Sequence, residues 1–264
     1  MEIAANNKIE IYSLCSGSSG NCYYFNCGGD EFLIDIGMSM KGVKSALSSL
    51  GSSLDNIRAI FITHEHSDHT KGCAMVSKYY KIPIHVLSPC ASLIEADKSL
   101  INAHPHFFSV KIGDTEIFSI PTSHDSAACC GYKVCRGGLS FGIATDMGFA
   151  NSEIATALTG TKAAVIEANY DPDMLKYGPY PYHLKERIAS KSGHLSNEES
   201  ARLCAYLSEK GTEHIMLGHL SKENNTPEKA LLAVEKRIAL CEKRARISVA
   251  KRSEITLLYN GSLI

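Results

Sequence analysis

The sequence predicts an α/β fold built as an αββα sandwich, with two mixed sheets face to face and helices on the outer faces. Two observations predict it. Strand-like segments followed by a helical segment occur twice along the chain, which fits two sheets with helices outside. At 264 residues the chain can bury a large core as one domain, residues 1–264. It shows no repeat, long linker or low-complexity segment.

Ile9–Leu14 alternates as a strand. Cys15–Asn21, CSGSSGN, is a Gly/Ser loop whose backbone N–H groups could meet a phosphate; on physical grounds alone a plain hairpin turn accounts for it better. Cys22–Phe25 and Phe32–Ile36 are strands joined by the turn at Gly28-Gly29-Asp30. Ser39 can cap a helix, Met40–Leu50, that stops at Gly51. The apolar run Ala59–Ile62 reads as a buried strand. A helix over Thr70–Tyr80, a strand at Ile82–Val86 and a short helix at Ala91–Asp97 follow. In the second half, strands are expected at Phe107–Val110, Thr115–Ile120, Gly131–Cys135, Leu139–Thr145, Ala163–Ala168 and His214–Leu217. Helices are expected at Ser152–Leu158, Tyr182–Ala189 and Ser196–Lys210, the last with a Ser196/Glu199 capping box. Pro227 suits the first turn of a helix running to Lys243, and strands at Ile247–Ala250 and Ile255–Tyr259 close the chain.

Composition narrows the function classes. Net charge is −1, so no global basic field advertises nucleic acid. The 10 cysteines are scattered and form no CxxC pair, so they read as small buried residues in a reducing compartment. The opening MEIAANNKIEIYSL lacks a secretory pattern, and no apolar run approaches the ~18 residues of a membrane span. A cytoplasmic protein is expected, with no membrane association and no obligate protein partner.

The chemistry centres on Arg58–His69, RAIFITHEHSDH. Four metal-ligand candidates, His64, His66, Asp68 and His69, follow the apolar run within six residues. In extended chain, residues i and i+2 share a side, so His64 and His66 can face one ion. After the chain bends, Asp68 and His69 can face a second. Imidazole nitrogen with carboxylate oxygen suits zinc or a similar divalent metal. His85, His104 and His106 show no ligand pattern and read as core or surface histidines.

THEHSDH matches HxHxDH, and the chain resembles the metallo-β-lactamase-fold hydrolases. That pattern needs a later His, an Asp and a last His at strand ends. His124 in PTSHD, Asp146 in IATDMG and His219 in MLGHLS are available. The resemblance implies that His64, His66 and His124 hold one metal, that Asp68, His69 and His219 hold the other, and that Asp146 bridges them. It implies two divalent ions, Zn or Mn, supplying a bridging hydroxide as nucleophile. Asp68 is counted with the catalytic residues as well as the ligands. His66, where the oxygen-reducing di-iron branch has Glu, points to hydrolysis. Asp146, in place of Cys, argues against the β-lactam-hydrolysing branch.

Glu167, near a strand end, and His194, before a capped helix, resemble the Glu–His pair of the tRNA 3′-processing endonucleases. Leu195 intervenes before Ser196, so that match is partial. In such a pair the carboxylate fixes the imidazole tautomer, and the His serves as general acid. SLCSGSSGN, THEHSDH, IEANYD, GPYPYHLKERI, SGHLSN and LGHLSKENNTPE together resemble the YycJ/WalJ-type branch, which implies DNA exonuclease action from the 5′ end. Only 72 residues separate Asp146 from His219, leaving no room for the large insert of the β-CASP group. Ser18, Asn21, Tyr170, Lys185 and Ser196 are the expected substrate contacts, with DNA as the expected nucleic acid partner. The basic C-terminal set, including Lys251 and Arg252, reads better as a solvated face. Two other classes remain open. One is a hydrolase of small esters, lactones or thioesters on the same fold. The other is a non-catalytic metal-binding module.

Overall fold

The computed structural model describes residues 7–263. The first half runs β1 (Lys8–Cys15), β2 (Cys22–Cys27), β3 (Asp30–Ile34), α1 (Met40–Ser49), β4 (Ile57–Phe61), α2 (Ser67–Thr70), α3 (Cys73–Tyr80), β5 (Ile84–Leu87) and β6 (Ile101–His104). The second runs β7 (Ser109–Ile112), β8 (Thr115–Pro121), β9 (Cys130–Arg136), β10 (Leu139–Ala144), α4 (Ser152–Leu158), β11 (Ala163–Glu167), α5 (Pro172–Tyr177), α6 (Tyr182–Ile188), α7 (Asn197–Glu209), β12 (His214–Gly218), α8 (Pro227–Ile238) and β13 (Arg246–Val249). β14 (Thr256–Ser262) returns to pair antiparallel with β1.

The strands form two seven-stranded sheets, ordered β14-β1-β2-β3-β4-β5-β6 and β13-β12-β11-β10-β9-β8-β7. Both begin as antiparallel meanders and become parallel where helices intervene, at β3–β4 and at β10–β11. This is the expected αββα sandwich. Aromatic side chains fill the space between the sheets. Phe25 stacks on Phe32 at 5.0 Å, and Phe61 meets Phe32 and Tyr132 edge-on at 5.7 Å each. Each such ring, fully buried, contributes about 1.5–3 kcal/mol. The Tyr132 hydroxyl donates to the Ile62 carbonyl at 2.7 Å, tying β9 to the chain that leaves β4 toward His64.

Several elements differ from expectation. Residues 91–97 form turns between two single 3₁₀ turns, because Asp97 caps Ser99 instead of extending a helix. The helix expected from Thr70 is broken at Gly72, where a Cβ would lie 2.7 Å from Ile36 and from the Met38 carbonyl. α8 stops at Ile238, five residues early. β6 and α5 were not expected, although Asp171-Pro172 is a cap followed by proline in the first turn. The Ser196/Glu199 capping box is present. His85 and His104 bond to each other at 2.9 Å, in a stack bounded by Phe61 and Phe108. All ten cysteines are free and eight are buried. Among the described residues no helix is long and apolar enough to cross a membrane.

Asp30, at the start of β3, locks one end of the sandwich. It is buried, pairs with buried Arg136 of the other sheet, and accepts from Arg58 at 2.8 Å and from Thr115 Oγ1 at 3.1 Å. Removing one partner of a buried pair strands the other charge. Arg136→Met should therefore lower stability in urea unfolding by about 3 kcal/mol, with Arg58 limiting the loss. A loss below about 1 kcal/mol would show that the pair does not hold the sheets together.

Candidate active site

The site lies beyond one edge of both sheets, where six strands end. Asp35 follows β3, His64 follows β4, His124 follows β8, Asp146 follows β10, Glu167 ends β11 and His219 follows β12. Asp35, Asp146 and His219 are three of the four non-glycine residues with left-handed backbone among the described residues, at φ 58°, 55° and 55°. Left-handed backbone costs a non-glycine residue about 1 kcal/mol or more, and such strain clusters at functional sites. Here it turns each chain sharply off its strand and aims the side chain across the sheet edge.

Four imidazoles are each fixed through Nδ1. His69 Nδ1 bonds to Asp35 Oδ2 at 2.7 Å, and His124 Nδ1 donates to the Gly193 carbonyl at 2.9 Å. His219 Nδ1 bonds to Glu167 Oε1 at 2.9 Å, and His64 Nδ1 lies 3.0 Å from Thr63 Oγ1. Each Nε2 is thereby left to face the interior, as in metal-ligating histidines. Four sets of potential donor atoms lie within 4.8 Å of one another: His64/His66/His124, Asp68/His69/His219, His64/His69/Asp146 and Asp146/Glu167/His194/His219. Asp146 sits between the first two sets, 3.3 Å from His69 Nε2 and 3.7 Å from His124 Nε2. His64 Nε2, His219 Nε2 and Asp146 Oδ2 are buried without any hydrogen-bond partner. Native proteins rarely leave such atoms unsatisfied. Burial, reinforced by three neighbouring imidazoles, holds His64 well below the ordinary histidine range, so it is neutral, the ligating form. Imidazole nitrogens, carboxylates and orphaned inward-facing atoms fit divalent metal ions.

Glu167 binds the two histidine loops together. Oε1 meets His194 Nδ1 at 2.8 Å as well as His219 Nδ1, while Oε2 accepts from the backbone N–H of Met147 at 2.8 Å and of Leu195 at 3.1 Å. Burial alone would push this carboxyl up. The charge and hydrogen bond of His194, with those of His219, hold it well below the ordinary carboxylate range. Like Asp68 at 22% and half-buried His66, His194 is partly accessible, at 19% of its side chain against 0–3% for His69, His124 and His219. It opens onto a cavity of about 190 Å³ lined by Ser18, Asn169, Tyr180, Arg187 and Ser221.

The expected substrate contacts are placed unequally. Ser18 is at this mouth. Asn21 is fully buried: its amide closes the Gly17 loop and approaches His69 Nε2 at 3.1 Å, and its backbone N–H donates to the Asp68 carbonyl at 2.8 Å. Tyr170, Lys185 and Ser196 line a separate cleft of about 480 Å³. Lys185 Nζ donates to the carbonyls of Lys176 and Gly178, and Ser196 caps α7. Sequence reasoning missed Asp35 and Glu65. Asp35 also accepts from Thr63 N at 2.8 Å; an Asp ending a strand two residues before a glycine was the available signal. Glu65 accepts from Ala127 N at 2.8 Å and so joins the HxHxDH turn to the His124 loop. At Gly37 a Cβ would lie 1.6 Å from the Asp68 carbonyl oxygen, so only glycine allows the two loops to touch.

The chain belongs to the β-lactamase superfamily: the family profile described as Beta-lactamase superfamily domain matches residues 30–219. Together with the His/Asp cluster, this makes it a metal-dependent hydrolase. It is 35% identical over 233 residues to "Exodeoxyribonuclease WalJ" of Streptococcus pneumoniae serotype 2 (strain D39), covering 86% of this chain and 87% of that one. It is 33% identical over 226 residues to "Exodeoxyribonuclease YycJ" of Bacillus anthracis, covering 84% and 86%. The YycJ/WalJ resemblance is borne out. Among solved structures, the metallo-β-lactamase-fold protein YhfI of Bacillus subtilis superposes with a TM-score of 0.71 at 15% identity, covering 97% of this chain and 100% of that one. Human tRNase Z, short form, superposes at 0.63 and 14% identity, covering 96% and 99%; these two likenesses show the fold alone.

Asp35→Asn keeps the shape of the side chain but removes the charge facing His69 Nδ1. Metal affinity should fall about 10–100-fold, read by competition with a chelating dye. Undiminished affinity would show that Asp35 does not orient His69.

Proposed function

We propose that this chain is a dinuclear metal-dependent phosphodiesterase that removes nucleotides from DNA, working from the 5′ end. His64, His66 and His124 would hold one divalent ion, zinc or manganese. Asp68, His69 and His219 would hold the second, with Asp146 shared between them. When bound, such ions supply a nucleophilic water at neutral pH and positive charge beside the phosphoryl oxygens. The kinship with two proteins named exodeoxyribonucleases supports a DNA substrate.

The observation that carries this reading is the Glu167–His194 hydrogen bond of 2.8 Å at the open edge of the cluster. The ionised carboxylate accepts the Nδ1 proton, fixes the tautomer and stabilises the imidazolium. His194 Nε2, with no hydrogen bond among the described residues, is then the proton donor to the leaving sugar oxygen. An alkoxide leaving group needs that proton. An activated ester or lactone does not, so the pair favours the phosphodiesterase over the small-molecule reading. Asp68, whose Oδ2 lies 3.5 Å from His69 Nε2 and from His219 Nε2, would serve both as a ligand and as a catalytic carboxylate.

Protein loaded with Mn²⁺ or Zn²⁺ should release mononucleotides in order from 5′-labelled duplex DNA and leave RNA intact. Cleavage of bis-p-nitrophenyl phosphate alone would replace this reading with the small-molecule hydrolase. His194→Ala should keep both metals and lose about 10²–10⁴-fold in turnover. If it loses metal instead, His194 is a ligand and the proton donor lies elsewhere.

A further inference from the structure

A second cleft, of about 630 Å³, lies on the far side of Ser221 from the His194 cavity, so the two share a wall. Its floor is Ser16, Leu220, Ser221 and Asn225, and its outer wall is the loop between β13 and β14. Ser16 Oγ accepts from His219 N at 2.8 Å, so this floor is continuous with the metal-ligand loop. From the outer wall, half-buried Arg252 reaches across the floor. Its Nη2 donates to the Leu220 carbonyl at 3.3 Å, directly after His219. Its Nη1 packs against the CSGSSGN loop so closely that a Cβ on Gly17 would lie 2.9 Å from it. The neighbouring cations are neutralised: Lys251 pairs with Glu254 at 2.6 Å, and Arg187 pairs with Asp125 across the first cavity. Arg252 has no acidic partner among the described residues.

We propose that this cleft is a phosphate-binding track for the cleaved strand, and that Arg252 holds a phosphate flanking the scissile one. The proposal rests on the nuclease reading above and adds to it where the rest of the strand lies. An arginine pinned by one carbonyl keeps further N–H donors in a planar fork suited to phosphate. Beside the metal-ligand cluster, a guanidinium with no acidic partner keeps its charge and spare donors free for an incoming anion. The polar floor and a volume well above that of a single ion match a sugar–phosphate chain rather than a lone anion. On this view Arg252 is a binding residue that sets how much of the strand is held, and it takes no part in the bond cleavage.

The test uses metal-loaded full-length protein carrying His194→Ala, so that DNA stays intact. Anisotropy is read on 5′-phosphorylated single strands of two and about ten nucleotides. The longer strand should bind more tightly. Adding Arg252→Met should weaken its binding roughly fivefold at 0.1 M salt, remove about 0.7 from the slope of log K against log salt, and shrink its advantage over the dinucleotide. Arg252→Lys should restore the salt slope. An unchanged slope and length advantage in Arg252→Met would overturn the track while leaving the nuclease reading intact. Equal loss of bound metal in the Met and Lys variants would also overturn it, since Arg252 would then only prop the Gly17 loop. If the His194→Ala protein binds neither strand, the nuclease reading itself fails, and the track with it.

Discussion

The carboxylate of Glu167 is the constraint on which the site depends. It is fully buried and ends a strand of the parallel half of the second sheet. Its four hydrogen bonds reach the backbone just after Asp146, the backbone just after His194, and the rings of His194 and His219. Three loops from distant parts of the chain are thus indexed to one group. A buried carboxylate with two backbone N–H donors and two imidazoles is satisfied on both oxygens. Removing one partner would leave charge in a low-dielectric interior, so the arrangement resists small displacements of any of the loops.

Asp35 plays the corresponding part in the first sheet. It fixes Thr63 and His69 as Glu167 fixes His194 and His219. The two sheets therefore contribute matching devices: an acid at a strand end, a sharp turn, and a histidine whose far nitrogen points inward. Strand ends are the natural place for this chemistry. Backbone N–H groups that have left the ladder need acceptors, and carboxylates provide them while orienting a ring. The aromatic core supplies the rigidity. Tyr132 ties the second sheet to Ile62, two residues before His64. At the opposite end of β3 from Asp35, the Asp30–Arg136 pair keeps the sheets in register.

Much of this was legible in the sequence, and the reason is local. THEHSDH places four donors within six residues, so no tertiary knowledge is needed to suspect an ion. The apolar runs and the Ser196/Glu199 capping box report strands and a helix through period and local hydrogen bonding alone. The two acids that were missed depend on long-range contacts. Asp35 and Glu65 look like ordinary acids until the fold brings Thr63 and Ala127 to them. Asn21, Lys185 and Ser196 read in the sequence as substrate contacts; in the fold their polar atoms also hydrogen-bond backbone groups or cap a helix. The short strand Ile101–His104 has little periodic signal; it exists because β5 offers it a parallel edge. Single-sequence reading cannot tell a free polar side chain from an engaged one.

On the proposed nuclease reading, a chain of net charge −1 must attract a polyanion, and electrostatics shows where. Four buried or half-buried carboxylates, Asp35, Asp68, Asp146 and Glu167, face the donor atoms of the cluster. Two divalent ions would bring four positive charges against these four, leaving the centre close to neutral before substrate arrives. Attraction must then come from the surroundings, and there most cations are cancelled: Arg187 by Asp125 and Lys251 by Glu254. Overall composition is therefore a poor guide to the partner, since what matters is the residual field along one cleft. A centre balanced internally leaves Arg252, without an acidic partner among the described residues, as the residual positive charge beside it.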